Sequence, residues 1–478
     1  MRKEDAGLDP WLTRASLAYL GLPVLLFLLL WLKPGFGFPA AVLSAVGLVG
    51  LFRAALSEGI PDRRLILGTL AVAVAAALIS GAGGVGLQNW DYDKHNAVLH
   101  DLISRPVPIR YADVGDPALA GPLVYYMGWY MPAAVVGRAL GWEAANAALF
   151  VWTALGLWLA LLWFARLAGG RGPWPALFLL FFSGMDAVGA VLQRQNPIRM
   201  SNLEFHNWSG LGQYTHNLAL VTWVPHHALA MWLATGLLLL ALRQRPLLPA
   251  ATAAWILTPF WTPWVFVGLT PVVVLAWANR NDDRERLTVL RPSSFVLLSS
   301  TALPFVLTYL ASNRGNVVHG WAWTFSTRLT FLRYYAGFAL VEFALVAWLT
   351  WRLLRPQGTD RWLLGGAIAA LAVLPVYRVG ISGDLMMRAS LPYLFILAIY
   401  AFRALAASEG KWRWALAGVL ALGALSPLHE AGYALAHYRL GPPPAETVRP
   451  LPFMDGRNYA KQFIGDPNKL FWRRFARE

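Results

Sequence analysis

The chain has 478 residues, of which 57% are hydrophobic and 14% charged, with a formal net charge of +15. Soluble domains of average composition carry about 25% charged residues, so this balance excludes an ordinary water-soluble fold. The basic residues recur as short punctuation between apolar runs, which argues against a nucleic-acid partner, and the absence of cysteine removes disulfides, thiolate metal sites and thiol catalysis.

A hydrocarbon core about 30 Å thick needs roughly 20 apolar residues in a helix. In chain order, runs near that length occupy 15–32, 38–56, 65–87, 144–166, 174–192, 222–242, 293–311, 333–354, 361–376, 389–407 and 412–428. The stretch 247–279 has room for two short helices broken at Pro259-Phe260-Trp261-Thr262-Pro263. The expected fold is all-α, a polytopic transmembrane bundle of about thirteen spans. It forms one domain over 1–428, followed by a short extracytoplasmic tail, 429–478. The first run is expected to be a retained helix: Arg2, Lys3 and Arg14 precede it, but Lys33-Pro34-Gly35 follows instead of a small-residue cleavage site. The 24 tryptophans suit the interfaces where such helices end.

With the N-terminus inside, half of the 40 Lys and Arg residues fall in cytoplasmic loops, as the positive-inside tendency requires. That orientation holds if 119–140 is an interfacial helix within one long outer loop, 88–143, and does not cross. The expected location is the cytoplasmic (inner) membrane, with the active site on the extracytoplasmic face. All nine histidines then emerge on the outer side, with Asp91, Asp93, Asp101, Asp186, Glu204 and Asp384. Charged groups at membrane depth are costly and are kept for function.

Three polar clusters stand out. The first is Asn89-Trp90-Asp91-Tyr92-Asp93-Lys94-His95-Asn96, followed by His100 and Asp101. Carboxylates at i and i+2 beside Lys94 and His95 can act as a general base with a helper, or could hold a divalent cation through oxygen ligands. The second runs from Gln193 through Arg199, Glu204, His206, Trp208, Tyr214, His216 and Asn217 to Trp223-Val224-Pro225-His226-His227. Aromatic planes among amides, His and Arg suit a sugar, which stacks on rings and hydrogen-bonds through its hydroxyls. No spacing matches the i, i+4 pair of a helical zinc site, so a protein-held metal is not expected there. The third is Tyr377-Arg378 to Asp384-Leu385-Met386-Met387-Arg388. Guanidinium groups bind phosphate well, and at a membrane surface that suggests a lipid phosphate; an internal Arg388–Asp384 ion pair is compatible with this. Asp186 near a helix end is expected to line the cavity. Arg328, with Arg314, His319 and Arg333 around Trp321-Ala322-Trp323, adds candidate sugar or phosphate contacts, and Glu342 is expected to pair with a neighbouring helix.

The acidic motif opening a long first outer loop, then Pro122-Leu123-Val124-Tyr125-Tyr126 and an interfacial helix, then a helix ending in Arg166 and Gly169-Gly170-Arg171, resembles the GT-C glycosyltransferases. Protein mannosyltransferases and aminoarabinose transferases are of this kind. The resemblance implies an inverting transfer of sugar from a polyprenyl-phosphate donor to a hydroxyl of a glycan, lipid or protein acceptor. It implies a catalytic base at Asp91 or Asp93 and phosphate held by cations such as Arg378 and Arg388. It implies no definite cofactor, and a divalent cation at Asp91 and Asp93 stays open from the residues alone. The rival reading is a transporter or flippase that binds a lipid-linked or sugar substrate without breaking a bond. It would place polar residues at mid-membrane and use broken helices.

Overall fold

The computed structural model describes residues 8–54, 62–112, 114–196, 208–278, 294–315, 317–325, 328–380, 383–454 and 460–478. Its first helices are α1 (Leu8–Trp31), α2 (Pro34–Ala54), α3 (Arg63–Ile79), α4 (Asp91–Ser104), α5 (Met131–Leu140) and α6 (Trp142–Ala168). The middle of the chain forms α7 (Trp174–Phe181), α8 (Asp186–Leu192), α9 (Asn217–Trp223), α10 (Pro225–Ala241), α11 (Leu248–Leu257) and α12 (Pro263–Ala278). Then come α13 (Ser294–Thr301), α14 (Leu303–Leu310), α15 (Arg328–Ala339), α16 (Leu345–Leu354), α17 (Gly358–Val373), α18 (Asp384–Ala389), α19 (Leu391–Ala407), α20 (Lys411–Gly423) and α21 (Leu425–Ala436). Two short antiparallel pairs join them: β1 (Arg110–Tyr111) with β2 (Gly121–Pro122), and β3 (His319–Trp321) with β4 (Tyr377–Val379). The all-α expectation holds.

Among the described residues, seven helical stretches are long and apolar enough to cross a membrane. They are Asp9–Trp31, Pro34–Phe52, Trp142–Ala168, Trp174–Leu192, Arg328–Leu354, Gly358–Val376 and Lys411–Ala436. The expected thirteen spans are not reproduced at that length; five further apolar helices have 10–17 residues. Proline accounts for two of the short pieces, because it removes a backbone donor and disfavours helix in the residue before it. A 3₁₀ turn at Thr258–Phe260 separates α11 from α12, which opens on Pro263, and α14 starts afresh just before Pro304.

Polar contacts mark two opposite ends of the bundle. At one end Arg166 donates to Asp9 (2.6 Å) and Gln244 to the same carboxylate (3.1 Å), while Arg243 reaches Asp360 at 2.9 Å. At the other end lies the tail. Backbone bridges join Val85 to Leu440, Leu123 to Ile464, Asn313 to Gly465 and Leu32 to Ala476. Ile464 and Phe471 are fully buried, so the tail is a strap packed on the bundle.

This strap fixes the course of the long loop. Leu123 pairs with it, and the Trp142 indole at the start of α6 donates to the Pro443 carbonyl (2.8 Å). The chain therefore leaves and returns to one end between 123 and 142, and the ten-residue α5 does not cross. The helix expected over 119–140 begins only at Met131, because residues 121–122 pair in β2. A second correction concerns the tail. Helix α21 runs on to Ala436, so the tail starts near 437 instead of 429, and His429 and Glu430 are helical.

Candidate functional site

The site starts at the first turn of α4. The Asn89 Oδ1 accepts the Asp91 backbone N–H (3.0 Å), and its Nδ2 donates to the Thr222 carbonyl (2.9 Å), which pins the start of α4 to the end of α9. Asp91 and Asp93 both lie in that turn, where the helix end presents unpaired N–H groups and favours negative charge. Residues i and i+2 on a helix point about 200° apart. Asp91 is accordingly buried and Asp93 exposed. The two carboxylates do not converge, so they do not form a cation pair. Among the described residues, no group of three or more His, Asp or Glu is placed to hold a metal ion.

Lys94 lies one turn beyond Asp91, is 3% exposed, and brings its ammonium to 3.2 Å from Asp91 Oδ2. Burial pushes the Asp91 carboxyl up, but the charge and hydrogen bond of Lys94 outweigh it, with Arg388 the smallest contributor, and hold it below the ordinary carboxylate range. Asp91 is thus a buried carboxylate held in its ionised form.

His95 is held from both sides. Its Nε2–H donates to the Trp223 carbonyl (2.8 Å), which leaves Nδ1 to accept the Tyr130 hydroxyl. Burial pushes this imidazole down to about 3, so it is neutral at physiological pH. His95 is therefore a positioning group at the wall of the site. The same turn of α9 is held from behind by a residue that the sequence did not single out. Glu430 on α21 accepts from the Thr222 hydroxyl (2.8 Å) and the Trp223 indole (2.9 Å).

Facing α4 are the first turn of α10 and the segment before α5. The rings of His226 and His227 lie 4.2 Å apart, and His95 is 5.5 Å from His226. The Tyr126 ring sits 5.3 Å from His226 and 5.2 Å from His227, and Arg388 donates to its hydroxyl (3.4 Å). On α18, Arg388 is paired with Asp384 at 2.9 Å, the i, i+4 bridge anticipated from sequence. Gly380 is needed beside it. Its φ is +80°, and a Cβ there would lie 2.0 Å from Asp384 Oδ2.

Six expected residues thus meet in one place: Asp91, Lys94, His95, His226, Asp384 and Arg388. Others are placed elsewhere. Asp101, in the last turn of α4, is fully buried, where it accepts from Arg105 (3.0 Å), the Tyr111 hydroxyl (2.7 Å) and the Leu451 N–H (3.0 Å). Asp186 and Glu342 share the Trp208 indole, at 3.4 and 3.2 Å, inside the bundle. His216 caps α9 by accepting the Ala219 N–H (3.0 Å). Arg378 lies in β4, with its guanidinium 5.2 Å over the Phe325 ring, and Arg328 is exposed at the start of α15. His206 and Glu204 lie outside the described residues.

Comparison of the chain with protein-family models, with curated proteins and with solved structures returns no match.

Proposed function

We propose that the chain is an inverting glycosyltransferase. It moves a sugar from a polyprenyl-phosphate donor to a hydroxyl acceptor (glycan, lipid or protein) at the outer face of the cytoplasmic membrane. The observation that carries this reading is Asp91: a buried carboxylate kept ionised beside two cations and next to aromatic rings. The acceptor hydroxyl gives its proton to Asp91 as its oxygen forms the new bond to the anomeric carbon. The bond from that carbon to the phosphate oxygen breaks on the opposite face, and the polyprenyl phosphate departs with the electron pair. Phosphate is a good leaving group, so cations suffice to stabilise it; Arg388 and Lys94 are the groups at hand. Once the phosphate draws on Lys94, Asp91 loses part of the charge that holds its pKa down and becomes a stronger base.

The test is a liposome assay with the full chain and polyprenyl-phosphate hexoses, scored by release of polyprenyl phosphate. The acid limb of kcat/KM should lie below pH 5, because the depressed carboxyl of Asp91 protonates only below its ordinary range. Removing the cation by Lys94→Met should move that limb upward, since burial then dominates. An acid limb that stays in place in the variant would remove Lys94 from the mechanism.

The orientation is open to a separate test. The chain has no cysteine, so single cysteines report cleanly. Leu440→Cys, at a site 79% exposed on the tail side, should react with an impermeant maleimide added outside cells. Trp362→Cys, 82% exposed at the opposite end, should react only after lysis. The reverse pattern would place the site on the cytoplasmic face.

One observation favours a transporter as the second reading. Asp186 and Glu342 are 1% and 3% exposed within membrane-length helical stretches. Glu342 sits in a π turn, Leu340–Ala344, and the helical run around Asp186 breaks between Phe181 and Asp186. Buried acids at helix breaks are what a proton-coupled carrier uses. Movement of the intact donor across the liposome without phosphate release would establish this reading in place of the first.

A further inference from the structure

The first turn of α10 holds two imidazoles that the proposed reaction does not use. His226 and His227 are both 0% exposed. His227 Nδ1 is hydrogen-bonded to the Thr262 hydroxyl (2.6 Å). Its Nε2 and both ring nitrogens of His226 are buried without a hydrogen-bond partner among the described residues. Burying a polar group without a partner is costly, and such groups in folded chains are generally satisfied by something. Three orphaned nitrogens on adjacent residues of one turn therefore point to a polar occupant.

The surroundings narrow its chemistry. Tyr126 packs on both imidazoles, and Trp129 and Tyr130 lie 6.2 and 6.4 Å from His226. Arg388 and Lys94 both lie close enough for their charges to act on the two rings. A metal cation is disfavoured beside two fixed cations. A second anion is disfavoured as well, because neutral imidazoles add no charge to hold it. A neutral imidazole offers one donor and one acceptor, which is what a hydroxyl group also offers. Two adjacent imidazoles with ring centres 4.2 Å apart can each meet one of two neighbouring hydroxyls on a sugar ring, and the aromatic side chains suit the ring's apolar face.

We infer that His226 and His227 form a subsite that reads a pair of neighbouring hydroxyl groups on a pyranose, with Arg388 beside it taking the phosphate. This deepens the glycosyltransferase reading and rests on it for the choice of a lipid-linked sugar. The sugar is held by neutral groups and the phosphate by charged ones, so the two halves of the ligand can be separated experimentally.

The test measures binding of short-chain prenyl phosphate, and of prenyl-phosphate glucose, mannose and galactose with their 2-deoxy forms, to the full chain in detergent. In the wild type at least one hexose should bind about tenfold or more tightly than prenyl phosphate alone, the loss of one well-placed hydrogen bond being worth roughly that factor. His226→Phe and His227→Phe should erase the increment while leaving affinity for bare prenyl phosphate unchanged. Arg388→Met should weaken both. If no hexose outbinds the bare phosphate in the wild type, or if the Phe variants weaken both ligands equally, the subsite does not exist and water satisfies the imidazoles. If the hexose preference is present but no sugar is transferred, the subsite stands and the enzyme reading fails.

Discussion

Replacing Asp91 by Asn should reduce sugar transfer by about 10²–10⁴-fold, the range typical for removal of a general base. The amide has the shape of the carboxylate and cannot take the acceptor proton. Asp93→Asn should stay within about twofold of wild type, because a solvent-facing carboxylate about 200° around the helix cannot reach the same atom. The contrast between the two variants matters more than either alone, since the sequence presents them as equals. Asp91→Asn also strips Lys94 of its partner at 3.2 Å in a buried place. An unpaired buried ammonium destabilises by about 3–5 kcal/mol, so loss of activity in the single variant could be loss of fold. Asp91→Asn with Lys94→Met removes both charges, and its turnover is compared with that of Lys94→Met alone, so that the loss of the cation is common to both. A folded double variant with the turnover of Lys94→Met alone would end the assignment of Asp91.

The second large effect is on stability. Asp101→Ala should cost about 3–5 kcal/mol, measured by thermal or denaturant unfolding in detergent, because it orphans a guanidinium, a phenol and a backbone N–H at once. Beside Arg105 at the C-cap of α4, the donors Tyr111 and Leu451 come from farther along the chain and tie the helix to β1 and to the tail. Whatever protein remains folded should keep its KM for donor. A variant of normal stability with a raised KM would return Asp101 to the binding site, where the sequence had placed it.

The membrane character of the chain was legible because it depends on the sum of side-chain transfer energies over a run of residues. The same is true of local pairs: Arg388 and Asp384 are four residues apart on one helix, and their bridge follows from that spacing. Residues that meet across elements were legible only by type. Asp91 and Asp93 look alike in a string, and only the phase of α4 separates them. Trp208 reads as a sugar platform, yet it donates to two acids within the bundle. Arg378 and Arg388 read as twin phosphate ligands, but β4 carries one toward Phe325 while α18 turns the other toward Tyr126. Glu430 gave no signal at all. The apolar run before it ended the sequence reading at 428, and its partners lie more than 200 positions away.

The strap has a kinetic consequence. Arg477 bonds Leu29 across 448 positions, and the Leu451 N–H meets Asp101 across 350. Contacts so distant in sequence form late, since the intervening chain must be ordered first. Until residues 437–478 arrive on their side of the bilayer, the ends of α1, α4 and α14 lack their covering strand partners. A partly inserted chain would therefore be open beside the aromatic wall of the site, where Tyr125 packs on Phe463 of the strap at 4.9 Å and lies 6.3 Å from His226. Assembly of the strap is thus the step that completes the packing around Tyr125 and the far end of α4.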